Sequence, residues 1–254
     1  MKITFLGTGT SQGVPLISCD CLVCKSADAK DKRLRSSIFI EENGKNFVID
    51  TGPDFRQQML REDIKKLDAV LFTHETKDHT AGFDDIRAFN FINKKKMEVF
   101  ASKRVQEAIK REFAYIFSDF KYPGVPEINL HLLENKLTEI EGVSFLPIEV
   151  IHYKLPVFGF RIKDFTYITD ANYISEEEKE KIKGTKILVL NALRREPHIS
   201  HYTLEQAIEL VQEINPDKAY FTHISHQLGL HEDVQRELPN NIELAFDGLK
   251  IENI

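Results

Sequence analysis

Apolar positions in this chain fall into short β-rich runs, and many of those runs stop abruptly at a polar residue. Phe47-Val48-Ile49 stops at Asp50, Val70-Leu71-Phe72-Thr73 at His74, and Glu149-Val150-Ile151 at His152. Thr166-Tyr167-Ile168-Thr169 stops at Asp170, Ile187-Leu188-Val189-Leu190 at Asn191, and Ala219-Tyr220-Phe221-Thr222 at His223. Near-continuous apolar runs predict strands covered on both faces. Polar groups at their ends predict a site along one edge of the sheets, where the following loops converge. Helical patterns lie between the runs. Ser175-Glu176-Glu177-Glu178 is a capping box, predicted to open a helix that stops near Gly184. Thr203-Leu204-Glu205-Gln206 opens a second, which Pro216 ends. Ser102 to Phe117 reads as a further amphipathic helix. Earlier, Ile38-Phe39-Ile40 and Phe47-Val48-Ile49 flank Asn43-Gly44, a hairpin with its turn written in. Antiparallel pairing early and strand–helix alternation later imply an α/β fold of mixed sheets covered by helices. No repeat or linker divides the 254 residues, so 1–254 reads as a single domain.

Composition narrows the function classes. Hydrophobic residues make up 42% and charged residues 29%, ordinary values for a globular protein. The net charge of −6 gives no general attraction to nucleic acid. No apolar stretch approaches the ~20 residues of a membrane helix. The opening segment is broken by Gly7 too soon to be a signal peptide, and a cytoplasmic location is expected. The three cysteines all lie between Cys19 and Cys24. An odd, tight cluster reads as metal ligation rather than a disulfide framework.

The densest chemistry is His74-Glu75-Thr76-Lys77-Asp78-His79, directly after a strand. Imidazole and carboxylate suit Zn²⁺ or a similar divalent ion. His152, Asp170 and His223 add further strand-end ligands, enough for one or two ions sharing a carboxylate. Cys19-Asp20-Cys21-Leu22-Val23-Cys24 offers three thiolates for a separate Zn²⁺ that needs a fourth ligand from elsewhere. Gly7, Gly9 and Gly13 read as tight backbone turns, since no Gly-Lys-Ser/Thr follows them.

These motifs, in this order, carry a family resemblance. Gly7-Thr8-Gly9-Thr10-Ser11-Gln12-Gly13, Asp50-Thr51-Gly52, His74 to His79, Asp84-Asp85-Ile86-Arg87, Arg194 to His201, and Thr222-His223-Ile224-Ser225-His226 span nearly the whole chain. The chain resembles the metallo-β-lactamase fold hydrolases, most closely the phosphoribosyl cyclic phosphate phosphodiesterase group. The resemblance implies an αββα sandwich, two mixed sheets flanked by helices. It implies a first ion held by His74, the position of Thr76, His152 and Asp170. A second would be held by Asp78, His79, Asp170 and His223, with Asp170 bridging; the ions would be Zn²⁺ or Mn²⁺. His226 matches the fourth ligand of a structural Zn²⁺ held by Cys19, Cys21 and Cys24. His201 and Asp78 are the candidate catalytic residues, with His201 near the leaving group; Arg194 and His198 are candidate substrate-binding residues. The implied activity is hydrolysis of a small phosphodiester, such as a cyclic ribose phosphate, by a metal-bound hydroxide. No membrane partner is expected, and a homodimer is allowed. Thr76 departs from the family pattern, where a histidine is expected, so the first ion should be held more weakly. Two rival functions remain: a tRNA 3′-processing endonuclease of the same fold, and a metal-stabilised binding protein that has lost catalysis.

Overall fold

The computed structural model describes residues 1–120 and 122–254. Its strands, in chain order, are β1 (Lys2–Gly7), β2 (Ser37–Glu42), β3 (Lys45–Ile49), β4 (Ala69–Leu71), β5 (Met97–Ala101), β6 (Ile128–Leu132) and β7 (Thr138–Ile140). There follow β8 (Val143–His152), β9 (Leu155–Ile162), β10 (Phe165–Tyr167), β11 (Ile187–Asn191), β12 (Lys218–Thr222), β13 (Ile242–Leu244) and β14 (Lys250–Glu252). The helices are α1 (Leu22–Lys25), α2 (Phe55–Arg61), α3 (Lys77–Thr80), α4 (Arg87–Asn93), α5 (Lys103–Glu112), α6 (Glu176–Ile182), α7 (Leu204–Ile214) and α8 (His231–Glu237).

Two seven-stranded sheets result, ordered β14-β1-β2-β3-β4-β5-β6 and β13-β12-β11-β10-β9-β8-β7. Each is antiparallel on one flank and parallel on the other. Apolar side chains bury themselves in three layers. Ile3, Phe5, Phe47, Phe145, Phe160 and Tyr167 lie between the sheets. Val48, Phe55, Val70, Phe89 and Ile109 pack the first sheet against α2, α4 and α5. Ile182, Leu188, Leu210, Phe221 and Val234 do the same for the second sheet and α6, α7 and α8. The architecture is therefore the expected four-layer sandwich, and strands covered on both faces explain the unbroken apolar runs.

Phe145 is fully buried in the middle layer, edge-on to Phe47 with ring centroids 5.1 Å apart. Phe145→Ala should cost ~3–5 kcal/mol of stability, read as a lower denaturant midpoint in urea.

Local signals mostly hold. Asn43 and Gly44 both take positive φ (51° and 73°), as a two-residue hairpin demands. Thr203 and Gln206 form the full capping box of α7. Ser175 accepts from the Glu178 amide, but the Glu178 carboxylate turns to the Glu149 amide of β8 (2.9 Å), so only half of that box forms. The helix expected over Ser102–Phe117 stops at Glu112 and continues as a 3₁₀ turn, Ala114–Ile116. Among the described residues, no helix is long and apolar enough to cross a membrane.

Candidate metal centre

The predicted strand-end residues converge. Asp78, His79, Asp170 and His223 offer one ligand atom each, all within 4.8 Å of one another, and so do His74, His152 and Asp170. Asp170 belongs to both groups. Its Oδ2 lies 3.2 Å from His79 Nε2 and its Oδ1 3.2 Å from His223 Nε2.

The backbone makes this convergence by unusual means. Asp50, Asp170 and His223 have φ of 67°, 57° and 55°, left-handed conformations that turn each strand end sharply. Such strain is retained where the surroundings over-determine it. Asn191, at the end of β11, clamps the turn after Asp170 by pairing its amide with both backbone groups of Ala171 (2.8 and 2.9 Å). Gly52 lets the Asp78 carbonyl approach so closely that a Cβ there would meet it at 2.1 Å.

Each imidazole is then oriented by a partner behind it. His79 Nδ1 donates to Asp50 Oδ2 (2.7 Å) and His152 Nδ1 to the Ser200 carbonyl (2.9 Å). Ser36 Oγ gives its proton to the Gly9 carbonyl, so it accepts from His223 Nδ1 (3.2 Å). Thr73 Oγ1 likewise donates to Asp50 (2.8 Å) and accepts from His74 Nδ1 (2.9 Å). All four rings thus turn Nε2 toward the site, the arrangement that metal-ligating histidines need.

Electrostatics favour a cation here. Burial, then neighbouring His79, pushes His74 down to about 3, and burial lowers His223, so both are neutral at pH 7. Burial alone would raise Asp170, but His223 and His79 hold it well below the usual carboxylate range. Burial also opposes ionisation of Asp78, and His79 overcomes it. His79 is the converse: burial disfavours its charge, yet Asp78, Asp170 and Asp50 together hold it well above the ordinary value. Positive charge amid three carboxylates is what the pocket stabilises. His79 Nε2 is fully buried without a hydrogen-bond partner, an atom that a divalent ion would satisfy. The donor set therefore fits the ions that the strand ends predict: His74 and His223 are already neutral, Asp78 and Asp170 are ionised, and His79 would give up the proton that a bound ion replaces.

Thr76 and Glu75 complete the picture of the first group. Thr76 Oγ1 lies 2.7 Å from His74 Nε2, where the network makes it the donor. Glu75 turns away to Arg104 and supplies nothing to the site. The cysteine corner also assembles: Cys19, Cys21, Cys24 and His226 form a third group, with His226 Nδ1 3.4 Å from Cys19 Sγ and 3.3 Å from Cys21 Sγ. The Cys24 amide, then His226, lowers Cys21 to about 6, while burial raises Cys24 to about 11.

His201 lies beside the centre, its ring 4.7 Å from His152 and 4.8 Å from His223, and Nδ1 3.9 Å from Asp170. Burial, then His223, pushes it down to about 2, so the ring is neutral. The His198 ring lies tilted against it, centroids 5.1 Å apart. Arg194 spends its guanidinium on Glu196 O, Pro197 O and Gln227 Oε1. Arg87 pairs with Asp84, as its position suggested. His131 and His231 stay apart from the centre, held by Glu98 and Arg33.

Sequence reading passed over Asp50 as a working residue. Its signal was its place at a strand end; its ownership of His79 and Thr73 was not readable. Asp50→Ala should weaken metal binding at the histidine centre by ~10–100-fold, measured by competition with a chelating dye, with the cysteine corner unaffected.

Comparison with known proteins agrees with this architecture. Residues 45–224 match the family model for the beta-lactamase superfamily domain. A crystal structure described as a new diphosphatase from the PhnP family superposes with a TM-score of 0.94 at 40% identity, covering 100% of this chain and 98% of that one. An octanoyltransferase of Porphyromonas gingivalis is 38% identical over 98% of this chain, but the match covers 51% of its own length. The chain thus spans about half of that relative. The short form of human tRNase Z shares the fold, with a TM-score of 0.70 at 18% identity over 99% of each chain. Fold and strand-end pattern together are those of the beta-lactamase superfamily, with a candidate metal centre at the sheet edge. The chain belongs to the beta-lactamase superfamily and, within it, to the PhnP family.

Proposed function

We propose that this protein is a metal-dependent phosphodiesterase acting on a small phosphodiester, with a cyclic ribose phosphate as the first substrate to test. The observation that carries the reading is the pair of ligand groups sharing Asp170, with His201 alongside. His74, His152 and Asp170 would hold one divalent ion, Zn²⁺ or Mn²⁺, and Asp78, His79, Asp170 and His223 the other. Bound there, such ions would make a water nucleophilic near neutral pH and polarise a phosphoryl oxygen. The chain's own groups do the rest. Asp50, Ser36, Thr73 and the Ser200 carbonyl fix the imidazoles before substrate arrives. His201, neutral at pH 7, serves as an N–H donor to a phosphoryl or departing oxygen rather than as a full acid. His198 stands next outward and would contact the substrate beyond His201. A Zn²⁺ held by Cys19, Cys21, Cys24 and His226 would have a closed shell and a structural role.

The diphosphatase relative supports phosphate chemistry. The octanoyltransferase likeness favours a second reading, hydrolysis of an acyl ester or thioester. Against tRNA processing stands the net charge of −6. The deciding experiment assays the metal-loaded protein in parallel on a cyclic ribose phosphodiester, an octanoyl thioester and a precursor tRNA. Turnover confined to the phosphodiester supports the reading; turnover confined to either other substrate replaces it.

A further inference from the structure

The residues between Leu193 and Leu204 form a closed loop. Leu193 N donates to Tyr202 O (3.1 Å) and Leu204 N to Arg194 O (3.0 Å), pinching its base shut. This loop presents His198, the Ser200 carbonyl that orients His152, and His201. Its interior is stapled by one side chain. Arg194 donates from Nε to Glu196 O (3.1 Å) and from Nη2 to Pro197 O (2.8 Å). From Nη1 it donates to Gln227 Oε1 (2.8 Å). Every nitrogen of the guanidinium is thus engaged by a neutral acceptor of the protein, and the planar fork is not free to grip a phosphate with paired bonds. Arg195 differs: it is exposed and pairs with Glu237.

Gln227 directly follows His226, the histidine of the cysteine corner. Ser225 N also donates to Leu193 O (3.0 Å), tying the same segment to the base of the loop. A continuous line of contacts therefore runs from Cys19 and Cys21 through His226 and Gln227 to Arg194, and on to the loop that places His201 and orients His152.

We propose that Arg194 is a positioning residue, locking the His201 loop to the cysteine corner through Gln227. It rests on the phosphodiesterase reading for its kinetic consequence alone. Glu196 and Pro197 are exposed, so their carbonyls return to water when the staple is lost, and the fold as a whole loses little. What is lost is the fixed placement of His201 and Ser200, to which catalysis is sensitive even at small displacements. Lysine carries one donor centre on a flexible stem and cannot bridge three acceptors in a plane.

The test compares wild type, Arg194→Ala, Arg194→Lys and Gln227→Ala, all metal-loaded. Amide hydrogen exchange is followed over residues 195–201, and kinetics are measured on the cyclic phosphodiester. The expected result for Arg194→Ala is faster exchange over 195–201 with 74–79 unchanged. Its kcat should fall ~10-fold or more while KM holds within about twofold. Arg194→Lys should fail to rescue either, and Gln227→Ala should move both the same way by less. A raised KM with kcat and exchange unchanged would make Arg194 a substrate cation and overturn the proposal, as would no change in any readout. Should wild type prove inert toward phosphodiesters, that result strikes the reading of the preceding subsection, and the exchange data alone then decide for or against the staple.

Discussion

Asp170→Asn is expected to strip both ions from the histidine centre and to lower turnover by ~10³-fold or more. The residue contributes to both ligand groups, one carboxylate oxygen facing His79 and the other His223, each at 3.2 Å. An amide of the same size replaces one of those oxygens with a group that cannot coordinate. It also removes one of the negative charges that hold positive charge at His79. Asparagine tolerates the left-handed backbone that Asp170 adopts, at φ 57°, so the turn itself should survive. Elemental analysis after dialysis provides the check. Metal content should fall to the ion at the cysteine corner, which serves as an internal standard. A variant that keeps both centre ions and near-normal turnover would remove the bridging role from Asp170.

Thr76→His is expected to act in the opposite direction. The first ligand group has His74, His152 and Asp170 and, among the described residues, no fourth protein ligand. The Thr76 hydroxyl stands 2.7 Å from His74 Nε2, so in the parent protein an incoming ion must displace that hydrogen bond. Thr76 makes no side-chain cap for α3, so replacing it forfeits no capping bond. An imidazole there would remove the competing donor and add a ligand. The dissociation constant of the first ion should fall by ~10-fold or more, at least matching the lower end of what one supporting contact to a ligand is worth. Titration calorimetry on metal-depleted protein measures it, and turnover at limiting metal should rise in parallel. If the parent chain retains only the cysteine-corner ion and turns nothing over, while the variant gains both, the parent is a metal-stabilised binding protein. Equal occupancy in the two would show that water alone completes the shell.

How legible was this site in the sequence? The candidate ligands were legible because His74, His152, Asp170 and His223 close apolar runs and Asp78 and His79 lie a few residues beyond one, so all fall at the sheet edge. Their number and chemical type then left few uses for the edge. The residues that orient them were not. Asp50, Ser36 and Thr73 are ordinary polar residues in sequence, and the Ser200 carbonyl carries no side-chain signal; their roles come from contacts across 29, 187, 23 and 48 positions respectively. The same distance effect explains Glu178. Its spacing from Ser175 met the capping pattern, but an unpaired amide on β8 claimed the carboxylate once the sheet formed. Local pattern likewise overran the end of α5, where Phe113 leaves helical geometry and packs edge-on against Phe83 and Tyr115. Arg194 shows the limit most clearly. As a cation near candidate catalytic residues it read as a substrate contact, and its partners, two backbone carbonyls and a distant glutamine, could only be seen in three dimensions.

The matched pair of sheets has a consequence for how the molecule hangs together. His74, Asp78 and His79 follow β4 in one sheet, whereas His152 ends β8 and Asp170 and His223 follow β10 and β12 of the other. Neither sheet alone can complete a coordination sphere. An ion seated at their shared rim would act as a rivet between two leaves, so filling or emptying the site would change how firmly the halves of the sandwich grip each other.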